Sequence, residues 1–134
     1  RAKVIQKQHK ILLVDDDTEV CTVCSSLLTS LNCSVVIASN SIQAVAKFIE
    51  AKKQNKPFDI AILDLTIPGE SGGVESVKKL LQIDQNTKMI VSSGYSDNAV
   101  MANFKEYGFS AVLAKPYTIE KLVDVLEIVC FPAE

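Results

Sequence analysis

Phe58-Asp59-Ile60-Ala61-Ile62-Leu63-Asp64 is an apolar run closed by a carboxylate, and Leu65-Thr66-Ile67-Pro68-Gly69 behind it reads as a loop. The run predicts a buried strand over 59–63 that delivers Asp64 to its carboxyl end, where open parallel sheets bind ligands. Outward from it, Ile11-Leu12-Leu13-Val14 ends in Asp15 and Asp16, and two later runs end in Ser92 and Lys115. The full set of predicted strands is 11–15, 34–38, 59–63, 88–92 and 111–114. Between them apolar residues recur at helical spacing: Val20, Cys24, Leu27, Leu28 and Leu31; Ala44, Val45, Phe48 and Ile49; Val77, Leu80 and Leu81. A fourth helix with Val100, Phe104 and Tyr107 is expected behind an Asp97 cap, stopping at Gly108. A fifth carries Leu122, Val125, Leu126 and Val129 behind Thr118. Strict alternation of strand and helix predicts an α/β fold, a doubly wound five-stranded parallel sheet with five helices on its two faces. Asp15, Asp16, Asp64, Ser92 and Lys115 then converge on one sheet edge. Lys115-Pro116 directly after the last strand predicts a tight turn and allows a cis bond.

A chain of 134 residues fits one domain, large enough to need no disulfide staple. Residues 1–9, rich in Lys, Arg and Gln, read as a polar leader or linker that includes His9, and 10–131 as the domain. The first residue is Arg, which suggests a piece of a longer chain. A formal net charge of -2 gives no basic footprint for nucleic acid, and no apolar run approaches the ~20 residues that span a bilayer. No direct nucleic-acid or membrane contact is therefore expected. Cys21, Cys24, Cys33 and Cys130 without a secretory signal point to a reducing, cytoplasmic setting. Cys21-x-x-Cys24 falls on a predicted helix with no second ligand pair, so core thiols are favoured over a metal or redox pair.

Asp15, Asp16 and Asp64 brought together would repel one another and raise one another's pKa unless a hard divalent cation joined them. Mg²⁺, for which Mn²⁺ can substitute, takes carboxylate, water and phosphate oxygens. Asp17 is expected instead to cap the first helix. An aspartate beside such a metal can attack phosphorus and hold an aspartyl phosphate, and Asp64 is the expected acceptor. Lys115 and Ser92 would meet the charge of the phosphoryl oxygens.

Val14-Asp15-Asp16, Leu63-Asp64-Leu65-Thr66-Ile67-Pro68-Gly69, Val91-Ser92-Ser93-Gly94 and Lys115-Pro116-Tyr117 resemble the signatures of response-regulator receiver domains. The likeness extends from residue 10 to about 130 and implies a CheY-like, flavodoxin-like sheet of strand order 2-1-3-4-5. It implies Asp64 as phosphoacceptor, Asp15 and Asp16 as the acidic pair holding Mg²⁺, and the backbone carbonyl of Thr66 as a further metal ligand. Ser92 becomes the switch hydroxyl and Lys115 the phosphate-binding lysine. The donor implied is a phosphohistidine on a histidine kinase or histidine phosphotransfer domain, with Thr18, Glu19 and Thr22 as contacts. A weak homodimer is left open. Such a chain is a self-phosphorylating acceptor that loses the group slowly, not an enzyme with turnover.

Departures from the family carry their own expectations. Many receivers place an aromatic residue three positions before the lysine, where it turns inward on activation. This chain has Val112, stiff at χ1 and too short for that rotation. Tyr95 and Tyr117 are nearby aromatics that could report the state instead. Neither Thr66 nor Gly94, at the two positions that tune phosphoryl lifetime, can orient an attacking water. The segments 92–97, 100–104, 107–109 and 114–117 are similar to receivers at the C-terminal end of hybrid sensor histidine kinases, which would make the parent a kinase. Asp64-Leu65-Thr66 also resembles the nucleophile motif of haloacid-dehalogenase phosphatases, but Thr66 cannot supply that family's second aspartate. A phosphorylation-independent pseudo-receiver is the other alternative, disfavoured by the complete set of site residues.

Overall fold

The computed structural model describes residues 8–65, 74–94 and 99–130. Its strands are β1 (Lys10–Val14), β2 (Ser34–Ala38), β3 (Ile60–Asp64), β4 (Lys88–Ser93) and β5 (Ala111–Ala114). They form one parallel sheet of order β2-β1-β3-β4-β5. The helices are α1 (Thr18–Ser30), α2 (Ser41–Lys53), α3 (Val74–Ile83), α4 (Ala99–Ala102) and α5 (Ile119–Cys130). The order and class are those expected; β1 and β3 each begin and end one residue away from the predicted limits.

Side chains alternate along a strand, so each strand feeds two cores. Ile11, Leu13, Ile60, Ile62, Ile90, Ala111 and Leu113 pack under Cys21, Cys24 and Leu28 of α1 and Leu122, Val125, Leu126 and Val129 of α5. Leu12, Val14, Ala61, Leu63, Met89 and Val91 face the other way, under Ala44, Phe48 and Ala51 of α2, Val77 and Leu80 of α3, and Met101 of α4. Ile49, expected on the buried stripe, is exposed. It sits about 100° round the helix from Phe48, beyond a stripe completed instead by Ala51.

The helix ends follow local chemistry. Asp17 caps α1, its carboxylate accepting from the N–H groups of Glu19 and Val20 at 3.0 and 3.2 Å. Asn40 caps α2. Thr118 receives the Lys121 N–H at 3.2 Å ahead of α5. The predicted fourth helix is not continuous: α4 is short, and Phe104–Tyr107 forms a separate 3₁₀ turn ending at Gly108 with φ +96°. Asn103 lies at the break, without a side-chain capping bond to the turn that follows. The Asp97 cap, Tyr95, Thr66 and Phe131 lie outside the described residues.

His9, placed in the polar leader by sequence, is buried, and its carbonyl accepts the Ser34 N–H at 2.8 Å. Its ring lies 3.6 Å from Cys130 Sγ. None of the four cysteines forms a disulfide, and Cys21, Cys24 and Cys33 are buried, as expected for core thiols.

Candidate functional site

Period two explains why the polar groups meet. Asp15 follows Leu13 by two, Asp64 follows Ile62, Ser92 follows Ile90 and Lys115 follows Leu113, so each extends a row of residues already facing α1 and α5. Backbone bonds hold the register past the strand ends. The Asp15 N–H donates to the Ala38 carbonyl at 3.0 Å, that of Leu65 to Ser92 at 2.9 Å and that of Lys115 to Ser93 at 3.0 Å. Asp64 and Ser92 are direct register partners across β3 and β4.

At this edge the Lys115 ammonium stands 2.9 Å from Asp15 Oδ2 and 3.3 Å from Asp64 Oδ1. Asp15 and Asp64 are buried, and Asp16 is exposed. One carboxylate oxygen from each of the three lies within 4.8 Å of the others. The Asp17 N–H donates to Asp15 Oδ1 at 2.9 Å, and Asp15 Oδ2 faces the Lys115 ammonium at 2.9 Å with no further partner among the described residues.

Burial raises the Asp15 carboxyl above the ordinary carboxylate range; the Asp17 N–H and Lys115 oppose this, and Asp64 reinforces it. Burial pulls Lys115 down, but Asp15 and Asp64 outweigh it and hold the ammonium above its usual value. Three carboxylates against one ammonium leave two negative charges in excess, the charge of one divalent cation. Hard oxygen donors and an incompletely satisfied buried carboxylate fit Mg²⁺ or Mn²⁺. Among the described residues no other group of three His, Cys, Asp or Glu side chains is so placed, Cys21 and Cys24 included.

Of the residues expected at the site, Asp15, Asp16, Asp64, Ser92 and Lys115 are brought to this edge; Thr66 lies outside the described residues. Ser92 is fully buried, and its hydroxyl pairs with the Tyr117 phenol at 2.5 Å. The sequence offers Tyr117 as an aromatic residue that could report the state, but not its bond to Ser92. The one available signal was a phenol where the adjoining core is apolar. Lys115-Pro116 is cis and turns the chain there. Tyr117, Pro116, Lys115 and Gly94 line an open groove of about 510 Å³ with Glu19, Val20 and Val23 of α1. Among the described residues, a Cβ built on Gly94 meets nothing within 4 Å. Val112 is half-buried and packs against the opposite core, the one under α2 and α3.

Residues 11–127 match the response regulator receiver domain family. The chemotaxis protein CheY of Thermotoga maritima is 30% identical over 118 residues, which cover 87% of this chain and 93% of that protein. Transcription factor SKN7 of Saccharomyces cerevisiae is 25% identical over 122 residues, covering 91% of this chain but 19% of SKN7, so the chain spans a small part of that relative's length. The receiver domain of the sensor histidine kinase PA1611 from Pseudomonas aeruginosa PAO1, solved with a magnesium ion coordinated in its active-site cleft, shares the fold. Its TM-score is 0.76 at 23% identity, over 90% of this chain and 96% of that one. With one fold, one ordered set of site residues and a match along most of its length, the chain belongs to the response regulator receiver domain family.

Proposed function

We propose that this chain accepts a phosphoryl group on Asp64 from a phosphohistidine of a histidine kinase or phosphotransfer domain, and changes conformation to pass the signal on. The observation that carries the reading is Lys115, whose ammonium reaches both Asp15 and Asp64 at the edge where three carboxylates converge. A carboxylate oxygen of Asp64 attacks phosphorus, the P–N bond breaks, and the electron pair leaves with the imidazole of the donor. Lys115 then serves a phosphoryl oxygen as a point charge, and the Ser92 hydroxyl donates to another. Asp15, Asp16 and Asp64, with the carbonyl of Thr66, would hold the metal. When bound, Mg²⁺ supplies positive charge to phosphoryl oxygens and relieves the repulsion among the carboxylates.

The group is held and slowly lost instead of being turned over, so the chain acts as an acceptor and not as an enzyme. Thr18, Glu19 and Thr22 are exposed on the first turns of α1, and Glu19 lines the groove beside Lys115, where a donor helix would lie. The motif likeness to receivers at the C-terminal end of hybrid kinases supports a hybrid sensor kinase as parent. Cytoplasmic action fits four cysteines that form no disulfide. Among the described residues no helix is long and apolar enough to cross a membrane.

Intact-mass analysis after incubation with acetyl phosphate and Mg²⁺ tests this directly. An adduct of about 80 Da is expected on the wild type and is absent from Asp64→Asn and from an EDTA sample. An adduct that persists in Asp64→Asn removes Asp64 from the role of acceptor. No adduct from acetyl phosphate or from a phosphohistidine donor leaves a pseudo-receiver.

A further inference from the structure

We propose that Tyr117 is the positioning residue for the Ser92 hydroxyl: its phenol donates to Ser92 Oγ, so that the single proton of Ser92 is left to donate to an oxygen of the group gained by Asp64. The inference rests on the phosphoacceptor reading of Asp64.

Ser92 is fully buried, and it is the register partner of Asp64 across β3 and β4. A serine hydroxyl carries one proton and two acceptor lone pairs, and its rotor settles wherever partners direct it. Tyr117 Oη is the partner observed, at 2.5 Å. Either oxygen can donate in such a pair, but the phenol is the more acidic group and the better donor. Burial holds the Tyr117 phenol above its ordinary value, with Ser92 partly opposing, so the proton needed for donation stays in place through the neutral range. With one Ser92 lone pair engaged by Tyr117, the Ser92 O–H is free for a phosphoryl oxygen. The transfer then needs no rotor search at the moment charge develops.

The ring is held independently of this bond. It packs against the core under α1 and α5 and lines the groove formed by Glu19, Val20, Val23 and Pro116. Val112 cannot form such a bond, having no polar atom in its side chain. Tyr117 is thus an aromatic residue in direct contact with the switch hydroxyl, and its position on the groove wall exposes any change in that bond to a docked partner.

The experiment is a double-mutant cycle on the full chain, reading the rate of adduct formation from acetyl phosphate in Mg²⁺ by intact mass. The variants are Tyr117→Phe, Ser92→Ala and the pair. Tyr117→Phe keeps the ring and removes only the hydroxyl, and is expected to slow adduct formation about five-fold, the loss of one ordinary hydrogen bond. In the Ser92→Ala background the same change is expected to have no effect. Equal slowing in both backgrounds means that Tyr117 only packs, and an unchanged rate in Tyr117→Phe removes its role altogether. Either result overturns the inference and leaves the acceptor role of Asp64 standing. A wild type that takes no phosphoryl group from acetyl phosphate or a phosphohistidine donor overturns both.

Discussion

Lys115 is a single ammonium serving two buried carboxylates, and the balance is asymmetric. Its side chain is 20% exposed, whereas those of Asp15 and Asp64 are 1% and 2% exposed, so removing the cation strands charge that water cannot reach. Lys115→Met is expected to lower unfolding stability in EDTA by about 3 kcal/mol, the usual cost of breaking a buried pair from one side. In Mg²⁺ the loss is expected to shrink, because without the competing ammonium the variant binds the cation more tightly than the wild type and so gains more stability from it. Urea titrations with and without metal measure both, and an equal loss in the two conditions would separate Lys115 from the metal site. Asp15, Asp64, Ser92 and Lys115 were legible in the sequence because each closes an apolar run whose alternate residues already face one core. The Ser92–Tyr117 bond was not, since the two residues are 25 apart and only the packed ring brings the phenol to the hydroxyl.

Elements show the same division between local and non-local causes. Asp17, Thr118 and Gly108 were readable as helix punctuation because capping and left-handed geometry are local demands, met within a few residues. The split of the fourth helix was not, because Val100, Phe104 and Tyr107 recur at helical spacing whether or not the backbone between them tightens into a 3₁₀ turn. The exposure of Ile49 was also hidden, since Ala51 completes the buried stripe as well as a larger residue would. Gly108 tests how firmly this turn is set. At φ +96° a side chain is strained, and a Cβ there would stand 3.0 Å from Leu81 Cδ1 on α3. Gly108→Ala is expected to cost about 1–2 kcal/mol, with unfolding followed by far-UV circular dichroism. A neutral result would show that the turn can adopt another conformation without loss.

Across the whole molecule, one sheet separates two cores, and the chemistry and most of the thiols share the same side. Cys21, Cys24 and Cys33 belong to the core under α1 and α5, the core that ends in the acidic site. Burial is the first cause that pushes Cys21 and Cys33 up to about 11 and Cys24 up to about 12, from an ordinary 9.0, and Asp15 adds to it for Cys21 and Cys24. The folded chain therefore keeps these protons to a higher pH than the unfolded chain does. The stability this supplies is complete below the unfolded value of 9.0 and is lost as pH rises through the window from there to about 12. The melting temperature is expected to be flat from about pH 7 to 8.5 and to fall above about 9, before Lys115 or Tyr117 would lose a proton even in the unfolded chain. Thiol chemistry reads the same burial without titrating the fold, because the thiolate is the reactive form. With iodoacetamide at about pH 8, half-buried Cys130 is expected to be alkylated in the native state, while the other three wait for unfolding and report its rate. Peptide mapping assigns the sites. Native labelling of Cys21 as fast as that of Cys130 would mean that the end of the core beneath Asp15 opens without global unfolding.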